Sequence, residues 1–150
     1  MDYKTVTLDE IIVVGIATRT TNEKNKATKD IKALWDKFYM DRVMYTISQK
    51  TDESVITLYT SYEKDHTKPY TVVLGYKVDN IDTLPQGMVY ATIPKSKYAV
   101  FHIKGENIVN ELIKIWKYIW NSDLQRTYTG DFEVYIPPDG HEADIYVAIK

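Results

Sequence analysis

The stretch Asp131-Phe132-Glu133-Val134-Tyr135-Ile136 predicts a strand that carries a carboxylate among apolar and aromatic residues. Strand side chains alternate between two faces, so Glu133 and Tyr135 share one face. The opposite face, which we expect to pack a core, holds Phe132, Val134 and Ile136. Glu133 has two interpretations. Alternation in a half-exposed strand places polar residues in solvent by default, whereas a carboxylate inside an aromatic pocket would attract a cationic ligand.

A second segment with the same alternation, Val55-Ile56-Thr57-Leu58-Tyr59-Thr60, occurs about eighty residues earlier. Aligning Tyr59 with Tyr135 places Thr57 at the position of Glu133. If the two strands meet across a pseudo-twofold axis, their tyrosine-bearing faces come together and form a cleft. Otherwise both are plain solvent-facing surfaces.

Two helices are predicted from apolar residues at helical spacing. The first follows Thr28, its expected N-cap, and carries Trp35 on its apolar stripe. The second follows Asn107, also an expected N-cap, and its apolar residues cover more than half of its circumference. Trp116 and Trp120 lie one turn apart on it, so one can pack in the core while the other borders a cleft.

The order of the elements indicates a duplication. The predicted strands are residues 6–8 and 11–17 before the first helix, Val55–Thr60 and Tyr70–Val78 after it, Val89–Ile93 and 98–104 before the second helix, and 132–136 and 144–149 after it. The last two are joined by a turn, Pro137-Pro138-Asp139-Gly140. We interpret this order as an α+β fold of duplicated β-α-β-β units, with pseudo-repeats 1–80 and 81–150 in a single domain of residues 1–150. The alternative is a chance likeness of two α+β halves.

The composition excludes several classes of function. The 150 residues have a net charge of −2, no cysteine and no basic patch, so we expect no direct nucleic-acid binding, no disulfide and no thiolate chemistry. The longest apolar run, residues 11–17, is too short to span a bilayer, and the start of the chain lacks the apolar core of a signal peptide. We therefore expect a cytoplasmic protein without membrane contact. The 13 tyrosines suit partly wet pockets, or they reflect composition alone.

Motifs for metals, cofactors and common enzyme classes do not stand out in the sequence. The histidines lack metal-ligand spacing, and His141, Glu142 and Asp144 are better explained as a polar turn than as ligands. Nucleophile elbows, phosphate loops and dinucleotide fingerprints do not occur. We therefore expect neither a metal nor a cofactor.

Several short motifs in a fixed order resemble a known family. They are Pro69-Tyr70-Thr71-Val72-Val73-Leu74-Gly75-Tyr76-Lys77-Val78, Lys97-Tyr98-Ala99-Val100-Phe101, Gly105, the helix with Trp116 and Trp120, Asp131-Phe132-Glu133-Val134-Tyr135 and Ile145-Tyr146-Val147. Together they are similar to the gyrase-inhibitor-like small-molecule-binding family, which forms the effector-binding domain of AraC- and MerR-type transcription activators and occurs alone in integron-cassette proteins. The resemblance implies a twisted antiparallel sheet with two main helices and a central ligand cleft. It also implies that Glu133 faces cationic, lipophilic ligands among aromatic rings.

Three functions follow from the resemblance. The first is a stand-alone receptor for amphipathic, cationic aromatic compounds, with Glu133, Tyr135, Tyr59, Trp116 and Trp120 as ligand-binding residues. The second is a hydrolase of small strained electrophiles, in which Glu133 acts as general base or nucleophile and a tyrosine as acid. The third is a protein-interaction role like that of the gyrase inhibitors, which leaves a protein partner or a homodimer open. The chain has no room for a helix-turn-helix module, which argues against direct control of transcription.

Overall fold

The computed structural model describes residues 2–137 and 140–150. Eight strands and two main helices follow one another along the chain. They are β1 (Lys4–Leu8), β2 (Ile11–Thr20), α1 (Lys26–Met40), β3 (Val55–Thr60), β4 (Tyr70–Val78), β5 (Val89–Ile93), β6 (Ser96–Lys104), α2 (Ile108–Trp120), β7 (Asp131–Tyr135) and β8 (Glu142–Ile149). Short 3-10 helices at Glu23–Asn25 and Val43–Tyr45 flank α1. The fold class is α+β, as predicted.

All strands belong to one antiparallel sheet in the order β1-β6-β8-β7-β3-β4-β2-β5. The units β2-α1-β3-β4 and β6-α2-β7-β8 have the same topology and meet at the central pair β3–β7. Thr57 lies directly opposite Glu133 in that pair. The predicted duplication is therefore confirmed. The edge strands are exchanged between the repeats. β1 lies in the first repeat but pairs with β6 of the second, and β5 lies in the second repeat but pairs with β2 of the first.

The sheet separates three apolar clusters. On one face α1 covers β2 and β4, and α2 covers β6 and β8, so each helix has its own cluster. The third cluster lies on the other face and contains Phe132, Leu58 and the fully buried Tyr98, with Val134 packed against it. Phe132 and Val134 therefore point away from Glu133, as predicted. On the helix-covered face, the side chains of β3 and β7 border the space between α1 and α2.

The backbones of β2 and β4 approach each other closely at a pair of glycines. Gly15 of β2 lies opposite Gly75 of β4. A Cβ atom on Gly75 would lie 1.9 Å from the carbonyl oxygen of Val14, so no larger residue fits without moving the backbone.

Three local predictions are wrong. The first helix begins at Lys26 rather than after Thr28, because Asn25 takes a left-handed conformation (φ 59°) that starts the helix one turn earlier. Ile136 lies beyond the end of β7 and borders a smaller cavity with Trp35, although its N–H still donates to the carbonyl of Glu142 in β8. The strands β2, β6 and β8 also extend beyond their predicted ends. Asn107 is the N-cap of α2 as predicted, and Pro138 and Asp139 of the predicted turn lie outside the described residues.

Candidate ligand-binding cavity

A cavity of about 710 Å³ lies between α1 and α2, above the central strands β3 and β7. Its walls are mostly apolar and aromatic. The lining residues are Asn22, Asn25, Ala27, Thr28, Ile31, Lys32, Trp35, Tyr59, Tyr62, His66, Tyr70, Val109, Leu112, Ile113, Trp116, Lys117, Trp120, Arg126, Glu133 and Tyr135. A volume of this size suits a drug-sized molecule.

Glu133 lies at the floor of this cavity with only 3% of its surface exposed. Its Oε2 atom accepts hydrogen bonds from Trp116 Nε1 at 2.6 Å and from the Tyr59 hydroxyl at 2.9 Å. Its Oε1 atom accepts a hydrogen bond from the Tyr135 hydroxyl. All three donors are neutral, and none of the ion pairs among residues 2–137 and 140–150 includes Glu133.

Burial and hydrogen bonding act on the Glu133 carboxyl in opposite directions. Burial raises its pKa above the ordinary glutamate value, and the hydrogen bonds from Tyr135, Trp116 and Tyr59 offset part of that rise. Burial and the nearby Glu133 charge raise the pKa of both Tyr59 and Tyr135 well above that of free tyrosine. Both phenols therefore stay protonated at neutral pH and act as donors.

The aromatic walls follow the pseudo-twofold axis. Trp35 of α1 meets the ring of Tyr135 edge-on, with centroids 5.3 Å apart and an angle of 84°. Trp116 of α2 meets Tyr59 in the same way, at 5.4 Å and 76°. Trp35 and Trp116 thus occupy equivalent positions in the two units, as the duplication predicts. The two halves differ at the centre, where one presents Glu133 and the other the buried Thr57.

A second charged group, the guanidinium of Arg126, lies in the cavity wall. Its Nη2 atom lies 2.7 Å from Oδ2 of the fully buried Asp131, and its side chain is only 4% exposed. Asp131 also accepts hydrogen bonds from the Tyr62 hydroxyl at 2.6 Å and the Ala148 amide at 2.8 Å. The Arg126 Cζ atom lies 4.4 Å from the ring centroid of Tyr128, a favourable cation–π distance.

The profile of the family described as integron-associated effector binding proteins matches residues 4–149. The chain belongs to this effector-binding family. A curated relative, YobU of Bacillus subtilis (strain 168), is provisionally named as a transcriptional regulator. It is 35% identical over 144 residues, which cover 91% of this chain and 90% of YobU.

Solved structures similar to this family member include an integron cassette protein from the mobile metagenome of Vibrio cholerae. It is 29% identical, with a TM-score of 0.78 over 99% of this chain and 95% of the other. SAV2435, solved with bound tetraphenylphosphonium, has a TM-score of 0.82 at 20% identity over 100% of this chain and 94% of its own. EcmrR, solved with DNA, has a TM-score of 0.60 at 14% identity, and the match covers 99% of this chain but 57% of EcmrR. The last two likenesses concern the fold.

The structure of this family member brings all five predicted site residues to one cavity. Glu133, Tyr59, Tyr135 and Trp116 form a hydrogen-bonded group, whereas Trp120 lies at the rim. The Trp120 ring stacks on His66 with centroids 5.7 Å apart and an angle of 5°, and 38% of the residue is exposed. The solvent-facing interpretation of Glu133 is wrong, because α1 and α2 close over its face of the sheet.

Sequence reasoning missed the pair of Arg126 and Asp131. Arg126 lies in a polar connection between α2 and β7 that has no periodic pattern. One signal was present, because Asp131 starts an otherwise apolar strand and a buried carboxylate needs a partner. The polar turn predicted for His141, Glu142 and Asp144 is wrong for the last two residues, because Glu142 and Asp144 lie in β8. His102, across the strand pair, lies 2.6 Å from Asp144 and 3.0 Å from Glu142.

Two features are absent from residues 2–137 and 140–150. Among them no helix is long and apolar enough to cross a bilayer. No group of three or more histidine, cysteine, aspartate or glutamate side chains in that part of the chain is arranged to hold a metal ion.

Proposed function

We propose that this protein binds amphipathic, cationic aromatic compounds in the cavity between α1 and α2, with Glu133 as the counter-charge. The observation that carries the proposal is a buried carboxylate that has three neutral donors and no cationic partner among the described residues. An ionised carboxylate in such a place has lost its hydration. A bound cation would restore favourable electrostatics at that point.

The surrounding rings suit the same class of ligand. Tyr59, Tyr135, Trp35 and Trp116 present aromatic surface around Glu133. A cation with aromatic substituents gains both cation–π attraction and apolar burial from such walls. Membership of an effector-binding family and the tetraphenylphosphonium bound to the similarly folded SAV2435 support this choice of ligand.

The hydrogen bonds of Glu133 favour binding over hydrolysis. A general base needs a lone pair directed at the proton that it removes. Three donors already point at the Glu133 carboxylate. The hydroxyl protons of Tyr59 and Tyr135 are engaged in the same bonds, so neither is free to serve as an acid without rearrangement.

The decisive experiment compares a cationic and a neutral ligand by calorimetry. We expect tetraphenylphosphonium to bind the wild type and triphenylphosphine oxide, which is neutral, to bind weakly. Glu133→Gln keeps the shape and removes the charge, so it should cost the cation about 1–3 kcal/mol and leave the neutral ligand little changed. Glu106→Gln, at an exposed position before α2, is the matched control. Equal affinities for the two ligands, unchanged in Glu133→Gln, would contradict the proposal.

A further inference from the structure

Basic groups line the cavity together with Glu133. Glu133 is the single carboxylate among the lining residues that the structure describes, whereas Lys32, Lys117 and Arg126 are basic. Arg126 is paired with Asp131 and Lys32 with Asp36. Lys32 and Lys117 are exposed at the rim, but Arg126 is buried.

Arg126 also has unused hydrogen-bonding capacity. Its Nη2 atom binds Asp131, but its Nε and Nη1 atoms are buried and have no hydrogen-bond partner within residues 2–137 and 140–150. The nearby rings of Tyr128 and Trp116 stabilise the positive charge but accept no hydrogen bond in the plane of the guanidinium. Buried donors without acceptors are costly, so a site that keeps them is suited to a ligand that brings an acceptor.

A second unpartnered group lies close to Arg126. The Nδ1 atom of His66 is buried and has no hydrogen-bond partner in the described part of the chain. Burial lowers the pKa of His66 and the positive charge of Arg126 lowers it further, so the ring is neutral at neutral pH. His66 and Arg126 both line the cavity, and the His66 ring stacks on Trp120.

Trp116 connects Arg126 with Glu133. Its Nε1 atom donates to Glu133, and its ring centroid lies 6.0 Å from Cζ of Arg126. The negative and the positive group are thus separated by about one indole ring, and the wall between them is aromatic. A ligand that spans both needs an aromatic body with opposite charges at its two ends.

We propose that the cavity takes a bipolar ligand, an aromatic compound whose cationic group lies at Glu133 and whose carboxylate binds Arg126. This inference rests on the proposed function and specifies its ligand class. The carboxylate would accept hydrogen bonds from the Nε and Nη1 donors of Arg126, which have no partner in the described part of the chain. Charge-assisted hydrogen bonds of this kind are stronger than neutral ones.

The test uses two dyes that differ in one group. Rhodamine B carries a cationic xanthene and a carboxylate, and its ethyl ester carries the same cation without the carboxylate. Fluorescence anisotropy with the wild type should give at least about tenfold tighter binding for the acid than for the ester. An ester that binds as tightly as the acid, or an acid that does not bind at all, would overturn the inference.

Variants separate this inference from the proposed function. Arg126→Gln should abolish the preference for the acid, Arg126→Lys should keep part of it, and Glu133→Gln should weaken both dyes while leaving their ratio unchanged. Arg126→Gln leaves Asp131 without its partner, which can prevent folding, so circular dichroism and binding of the ester check that this variant is folded. The comparison of the two dyes on the wild type tests the inference even if the variant does not fold. Binding of tetraphenylphosphonium tests the proposed function alone, because that cation has no carboxylate.

Discussion

Thr57 and Glu133 lie directly opposite each other across β3 and β7, and both are buried. They occupy equivalent places in the two units, yet one is neutral and the other carries a carboxylate. The surrounding pairs, Trp35 with Tyr135 and Trp116 with Tyr59, keep the symmetry that this central position breaks. The cavity is thereby polarised, and a charged ligand would have a preferred orientation in it.

The affinity for a cationic ligand should depend on pH. Burial raises the pKa of Glu133, so the free protein holds a proton there over a pH range in which an exposed glutamate is ionised. A bound cation favours the ionised form, so binding releases that proton. Affinity for tetraphenylphosphonium should therefore rise with pH through the titration of Glu133 and then level off. Calorimetry in two buffers of different ionisation enthalpy counts the released protons, and a pH-independent affinity would show that Glu133 is not the counter-charge.

Removing donors to Glu133 should move this pH profile. The Tyr135 hydrogen bond lowers the pKa of Glu133 more than the Tyr59 hydrogen bond does. Tyr135→Phe should therefore shift the midpoint of the profile to higher pH, and Tyr59→Phe should shift it less in the same direction. Both variants keep the aromatic ring, so apolar contacts with a ligand are preserved. A shift to lower pH in either variant would mean that the hydroxyl does not stabilise the carboxylate.

Stability should respond to pH through the same group. The pKa of Glu133 is higher in the folded than in the unfolded chain, so the folded state binds the proton more tightly. The contribution of the protonated group is then fully present below the unfolded pKa and is lost as pH rises through the folded pKa. Relative to Glu133→Gln, the wild type should lose free energy of unfolding across that window. Urea denaturation of both proteins at a series of pH values measures the difference, and a constant difference would contradict the raised pKa.

The buried pair of Arg126 and Asp131 should matter more for stability than surface pairs. Asp131 has 0% exposure and the Arg126 side chain has 4%, so Asp131→Asn would leave a buried guanidinium charge without its carboxylate. We expect a loss of about 3–5 kcal/mol in the free energy of unfolding. Asp36→Asn breaks the exposed pair with Lys32 on α1 and should cost at most about 0.5 kcal/mol. Similar losses in the two variants in urea titrations would contradict the role assigned to burial.

The glycine pair in β2 and β4 gives a prediction about the backbone. Gly75→Ala would place a Cβ atom 1.9 Å from the carbonyl oxygen of Val14, which forces the strands apart. We expect a loss of about 1–3 kcal/mol, measured by urea denaturation. Gly105→Ala is the matched control, because the nearest atom to its added Cβ is a side-chain carbon of Glu111 at an ordinary 3.7 Å. A Gly75→Ala protein as stable as Gly105→Ala would mean that the strands can separate at little cost.

Local sequence patterns predicted the parts of the fold that depend on local chemistry. Alternation and β-branched residues fixed β3, β4 and β5 to the residue, because half-buried strands select such side chains directly. The start of α1 was missed, since a left-handed asparagine has no periodic signature. The duplication, read from the repeated order of elements, also placed Thr57 and Glu133 in equivalent positions.

The candidate site was predictable where it lies on regular elements. The alternation of β7 and the spacing of α2 marked Glu133, Tyr135 and Trp116, and the duplication added Tyr59. The position of Arg126 in the cavity wall was not predictable from the sequence. Arg126 belongs to an irregular connection, and its side chain reaches the cavity only because α2 and β7 pack together. The burial of Glu133 also depends on how α1 and α2 pack over the sheet. The alternation of residues in β7 carries no information about that packing.

The exchanged strands β1 and β5 bear on how the molecule folds. Each belongs by sequence to one unit and completes the sheet of the other, at opposite edges. Neither unit alone can therefore assemble its full set of strand pairings. The two repeats should unfold in a single cooperative step, and a backbone cut in the connection between β4 and β5 should leave two fragments that remain associated. The same arrangement of strands is expected when the two protomers of a strand-swapped dimer are joined into one chain.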